Sequence, residues 1–158
     1  MTTATIDEAK LNAIVGQCIT DFGAIASAAL VNIGDKLGLY KSLAKNGPAT
    51  PAELSAQTGT TERYIRHWLL NQASSGFIDY SPQTGKYSLS PEQELVFAND
   101  DSPAALVGGW GVTTAAVKAE SRIVENFKTG KGLLWGDQDP SLFMGTARFF
   151  KPGYVANL

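Results

Sequence analysis

The stretch from Thr50 to Leu89 constrains this chain more than any other. Thr50-Pro51-Ala52-Glu53 is a helix start: a threonine that can accept from the backbone, a proline suited to the first helical position, and a glutamate placed to reach back. That helix carries Leu54 and Ala56 and stops near Gly59. Thr61 then reads as the cap of a second helix, with Glu62 favourable in its first turn. On this second helix Ile65, Trp68, Leu69 and Gln72 share one side. Ser74-Ser75-Gly76 ends it. Phe77, Ile78 and Tyr80 make one short strand, Tyr87 and Leu89 another, and residues 82–85 turn between them. Two helices followed by a small hairpin is the element order of a winged helix, so the expected fold is mainly α, a winged helix-turn-helix with a β-hairpin wing, flanked by long helices.

The flanks follow from periodicity. Residues from about Ile6 to Ala44 read as helix throughout, ended by Gly38 and resumed for a short piece before Asn46-Gly47-Pro48. Ile19, Phe22, Ile25, Ala29, Ile33 and Leu37 form an apolar stripe, beside the small residues Gly23, Ala24, Ala26, Ser27 and Ala28. A helix so poor in charge is expected either at the centre of its own domain or in a dimer. After the wing, Pro91 opens a helix to about Ala98, and a longer one is expected from Ser102 to about Lys128, softened at Gly108, Gly109 and Gly111. A last helix is expected over Leu142 to Phe150, broken by Pro152-Gly153. Three segments result: residues 1–45 as a helical pairing segment, 46–98 as the winged unit, and 99–158 as a second helical segment.

Charge bears on the choice of partner. The winged unit holds Arg63, Arg66 and Lys86 against Glu53, Glu62 and Asp79, so it is neutral, and the whole chain carries a net charge of −2. Phosphate contacts supply most non-specific affinity for DNA, and domains that use them are visibly basic. Nucleic acid is therefore not the expected partner. Charged residues make up only 18% of the chain, below the roughly 25% of an ordinary soluble domain, which leaves apolar surface for a partner. No uninterrupted apolar run reaches the length of a membrane span, and no secretory leader is recognisable, so a cytoplasmic protein is expected.

Little catalytic chemistry is legible. The only histidine, His67, lies beside Arg66 and Trp68 on the second helix and reads as a structural or surface group. Asp137 and Asp139 read as a solvated turn rather than a metal site. Gly108-Gly109-Trp110-Gly111 lacks the strand before it and the lysine that a phosphate loop needs, and reads as a thinned helix. Cys18, the only cysteine, reads as a buried bystander. No catalytic, cofactor-binding or metal residue is nominated. The aromatic set Trp110, Trp135, Phe143, Phe149, Phe150 and Tyr154 reads as core or interface, or as the wall of a small-molecule pocket.

Several motifs also occur together in a set order: Gly38-Leu39-Tyr40, Pro51-Ala52-Glu53-Leu54, Thr58-Gly59, Glu62-Arg63-Tyr64-Ile65-Arg66-His67-Trp68-Leu69, Ser75-Gly76-Phe77-Ile78, Tyr87-Ser88-Leu89-Ser90-Pro91-Glu92 and Asp101-Ser102-Pro103. In this the chain resembles the amino-terminal region of bacterial S-adenosylmethionine-dependent class I methyltransferases that carry a winged-helix dimerisation domain. The family's Rossmann-like domain, with its acidic, glycine-rich turn, has no counterpart here. The resemblance implies a dimerisation and substrate-covering domain that is not catalytic by itself, a homodimer formed through the amino-terminal helices, and S-adenosylmethionine and a small-molecule methyl acceptor for the complete enzyme. It implies a pairing role for Gly23 to Ala29, and a substrate-lining role for Trp110, Phe143 and Phe149. Two alternatives stay open. One is a DNA-binding transcription regulator using Arg63, Arg66, His67 and Lys86; the other is a stand-alone dimeric binding module for an apolar ligand.

Overall fold

The computed structural model describes residues 5–157. Among them are eight α-helices and one two-stranded antiparallel sheet. The first helix, α1 (Glu8–Lys36), is capped by Asp7, which accepts from the Lys10 amide. Gly38 then takes a left-handed conformation (φ 66°), which a residue with a side chain resists, and the chain turns into α2 (Leu39–Asn46).

The winged unit follows the expected order. Helix α3 (Pro51–Thr58) starts with a complete capping box between Thr50 and Glu53, and Gly59 ends it at φ 65°. Helix α4 (Glu62–Ser74) begins after Thr61, but the Thr61 side chain makes no capping bond, contrary to its reading as a cap. Strands β1 (Asp79–Ser81) and β2 (Lys86–Ser88) pair with Tyr80 opposite Tyr87. The wing thus begins two residues later than expected, because Phe77 and Ile78 turn inward to pack instead of joining the ladder. Ala49 adds a bridge to the other side of β2, exchanging two backbone bonds of 2.9 Å with Tyr87. A second capping box, Ser90 with Gln93, opens α5 (Pro91–Phe97).

The core gathers around Tyr40. Its ring stacks on Phe97 at 5.0 Å and meets Trp68 edge-on at 5.0 Å, and Leu39, Leu43, Leu54, Ile65 and Leu69 close round them. Tyr40 donates to Gln72 Oε1, a side chain with no solvent exposure at all. Gly34 of α1 lies against this cluster so closely that a Cβ would stand 2.4 Å from Trp68 Cζ2. Trp68 Nε1 in turn donates to the Leu30 carbonyl at 2.8 Å, pinning α4 to α1.

The carboxy-terminal segment departs from expectation in two places. The long helix is two, α6 (Val107–Lys118) and α7 (Glu120–Thr129), meeting at Ala119 and starting later than Ser102, which is instead buried in the preceding turn. A 3-10 turn (Trp135–Asp137) leads to α8 (Pro140–Asn157), which runs on through Pro152 instead of stopping there. An interior proline forfeits its own bond to the carbonyl four residues back and crowds that carbonyl, yet α8 carries Pro152 and continues beyond it. Helices α6 and α8 pack most closely of all the pairs, and α6 also packs on α1. Glycines make this approach: a Cβ on Gly108 would lie 2.7 Å from Arg148 Cβ, and one on Gly145 would lie 2.7 Å from the Gly108 carbonyl.

Helix α1 also overturns two expectations. Every residue from Glu8 to Ala26 is exposed, so the apolar stripe is not central in its own domain, and Cys18 is exposed rather than buried. The helix is moreover long and apolar enough by composition to cross a membrane, although no uninterrupted run suggested it.

Candidate functional site

The fold sets a cavity of about 580 Å3 where α6, α8 and the end of the winged unit converge. That is within the range of small-molecule pockets, about 300–1,000 Å3. Phe77 and Phe97 come from the winged unit, Gly109 and Trp110 from α6, and Phe149 and Phe150 from α8. Phe77 bridges to the core, 5.1 Å from the Phe97 ring and 5.9 Å from that of Trp110, and Phe149 meets Phe150 edge-on at 5.2 Å. The remaining lining is aliphatic apart from the hydroxyls of Thr113 and Thr146.

Two polar devices fix these walls to α1. Asn32 donates from Nδ2 to the Trp110 carbonyl at 3.0 Å and to Thr114 Oγ1 at 2.8 Å, which holds α6. Arg148, next to Phe149, forms a fork to Asp35 with bonds of 2.6 and 3.0 Å and reaches Asp100 at 2.7 Å, which holds α8. A bidentate guanidinium–carboxylate pair fixes orientation as well as distance. Lys41, bonded to Asp100, and the neighbouring Arg148 hold the Asp100 carboxyl below the ordinary range, while the Asp35 contact pushes the Arg148 guanidinium up.

Of the residues expected to line a substrate pocket, Trp110 and Phe149 lie in the wall of this cavity. Phe143 does not line this cavity; it is half-buried in the first turn of α8, edge-on to Trp135 at 5.1 Å. Phe77 and Phe97 were assigned to strand and helix in the sequence and not to a pocket. A period-based reading places residues on faces but does not bring the wing's base against a helix thirty residues later.

The set proposed for DNA is largely spoken for. Arg66 pairs with Glu62 on its own helix, and Lys86 at the wing pairs with Glu53 at 3.1 Å. Arg63 and His67 are exposed on α4, and His67 borders a groove with Leu30, Ile33, Leu37 and Tyr64 between α1 and α4. Asp137 and Asp139 face Arg122 and Lys118, and no cluster of metal-ligating side chains occurs among the described residues. Bonds from Ser141 and then Lys118 pull the Asp139 carboxyl down to about 2.

The described residues do not fit a site for S-adenosylmethionine. Such a site needs a strand, a glycine turn and a helix. Here Gly108, Gly109 and Gly111 lie inside α6, and the sheet among the described residues is an antiparallel hairpin.

Comparisons with known proteins bear on the fold. Residues 25–98 match the family model described as the Rv2258c-like winged HTH domain. That stretch is similar to this type of domain, and its two helices and wing have the winged helix-turn-helix architecture. Among solved structures, the mitomycin 7-O-methyltransferase MmcR superposes with a TM-score of 0.70 at 17% identity, over 95% of this chain and 47% of that one. An O-methyltransferase family protein from Burkholderia thailandensis gives 0.64 at 16% identity, over 98% and 46%. Human N-acetylserotonin methyltransferase, solved in complex with SAM, gives 0.63 at 14% identity, over 96% and 44%. The chain thus spans less than half the length of these structures, and at such identities the likeness is one of fold. No curated protein sequence matches the chain.

Proposed function

We propose that this chain is the amino-terminal dimerisation and substrate-covering domain of an S-adenosylmethionine-dependent methyltransferase, not catalytic by itself. The observation that carries the reading is the manner of the structural match: almost the whole of this chain corresponds to slightly under half of several methyltransferases. The winged unit, with two of its three cations already paired within the unit, supports a scaffold and not a polyanion grip.

In this reading the exposed half of α1 pairs with a second copy. Ile19 (64% exposed) and Phe22 (69% exposed) continue into the groove between α1 and α4, giving one apolar track along the molecule. A contiguous apolar surface of this size marks an interaction site. Gln17 and Asp21, bonded to each other in mid-helix, suit the edge of a protein interface better than hydrocarbon, where a charge is costly. The cavity between α6 and α8 covers the methyl acceptor, a small molecule, and the donor is held elsewhere in the complete enzyme. A cytoplasmic location goes with this assignment.

Titration calorimetry with S-adenosylmethionine tests the division of labour. No heat of binding is expected from this chain; micromolar binding contradicts the assignment. A gel shift at low salt tests the alternative, and salt-sensitive retention of DNA fragments would favour a regulator.

A further inference from the structure

Gly109 is the residue of the cavity wall whose identity the backbone does not explain. It lies within α6 and is not among the glycines with positive φ. Any helix-forming residue would serve the helix better there, by up to roughly 1 kcal/mol for alanine. Space explains it. A Cβ at this position would stand 3.1 and 3.3 Å from Phe149 Cδ2 and Cε2, with no backbone atom in the way. Its neighbour Gly108 differs: a Cβ there would strike Arg148 Cβ and the backbone of α8, so Gly108 serves the helix crossing. Gly109 instead makes room for the Phe149 ring, which itself faces the cavity, so a side chain here would push that ring into the cavity.

The chemistry of the wall limits what can fill the cavity. None of the lining side chains is ionisable. A charged ligand would lose its water without gaining a counter-charge. Thr113 already donates its hydroxyl to the Gly109 carbonyl at 3.0 Å, so towards a ligand it can only accept. The walls otherwise offer aromatic faces from three elements, which favour a flat partner.

We infer that Gly109 sets the width of this cavity, and that the ligand is an uncharged molecule of fused rings lying against Phe149. The inference rests on the substrate-covering role proposed above, and it goes further by naming the ligand class and the residue that selects its size.

Fluorescence titration of the chain with 1-aminoanthracene, uncharged at neutral pH, provides the test, with naphthalene as a smaller competitor and anthracene-1-carboxylate as a charged one. The wild type is expected to bind the three-ring probe, and the carboxylate is expected to be at least about tenfold weaker. Gly109→Ala is expected to weaken the three-ring probe about tenfold while leaving naphthalene within about twofold, and Gly109→Leu to weaken it further. Phe149→Leu in the Gly109→Ala background is expected to restore three-ring binding, which a general loss of packing would not do, and it keeps the test valid if Gly109→Leu fails to fold. Binding that both Gly109 variants leave unchanged, or a charged analogue that binds equally well, overturns this inference and leaves the substrate-covering role standing. A folded wild type that binds none of the apolar probes overturns both.

Discussion

Tyr40 and Gln72 meet where the core admits no water, and each needs the other. Gln72 Oε1 accepts from the Tyr40 hydroxyl, and its Nε2 donates to Asn71 Oδ1 at 2.9 Å. Tyr40→Phe removes the donor and strands a buried amide oxygen, which costs about 1–3 kcal/mol in urea unfolding. Burial, and then the Asp35 carboxylate, push the Tyr40 phenol well above its ordinary value. The phenol of the folded chain therefore stays neutral while that of the unfolded chain ionises above about pH 10, so its contribution is complete below that pH and declines as pH rises further. The stability gap between wild type and Tyr40→Phe is expected to narrow between pH 10 and 11; a gap that widens contradicts the burial assigned to Tyr40. The sequence placed Gln72 on the core side of its helix but offered no sign of its partner, because an isolated glutamine spacing does not reveal which buried hydroxyl will reach it.

Helix boundaries were most legible where side chains bind the backbone locally. The Thr50–Glu53 box appears as read, since all its partners lie within four residues. Thr61 carries the right residue type, but its hydroxyl makes no such bond, so residue type alone was insufficient there. The two sites therefore separate experimentally. Thr50→Ala is expected to lower stability by about 1 kcal/mol, and Thr61→Ala by only a few tenths, as read by thermal or urea unfolding. Equal losses would contradict the capping geometry. Pro152 shows the reverse failure. The rule that proline ends a helix gave Phe150 as a boundary, yet α8 continues to Asn157. The close seating of α8 on α6, made by Gly108 and Gly145, is a tertiary effect beyond any local signal. The glycines themselves were read as thinning a helix for close packing, and two distant glycine positions turn out to face each other.

At the scale of the whole molecule, the winged unit was readable because helix caps, glycine stops and alternation all agree over forty residues. The cavity was half readable. Trp110 and Phe149 were singled out, whereas Phe77 and Phe97 reach it only because the wing's base folds back on α6. The amino-terminal helix was read either as central in its own domain or as part of a dimer, and its stripe faces away from its own chain, over about 28 Å of exposed helix. Asp35 and Asn32, further along the same helix, hold both walls of the cavity, so the pairing and the ligand cover proposed above would share a single element. The proposed function depends on pairing through the exposed half of α1. Sedimentation velocity at micromolar concentrations, without detergent, measures it most directly. A dimer is expected for the wild type, and Ile19→Asp with Phe22→Asp is expected to give a folded monomer with an unchanged melting profile of the winged unit. A wild type that sediments as a folded monomer throughout that range, or a dimer indifferent to both substitutions, would contradict pairing through α1.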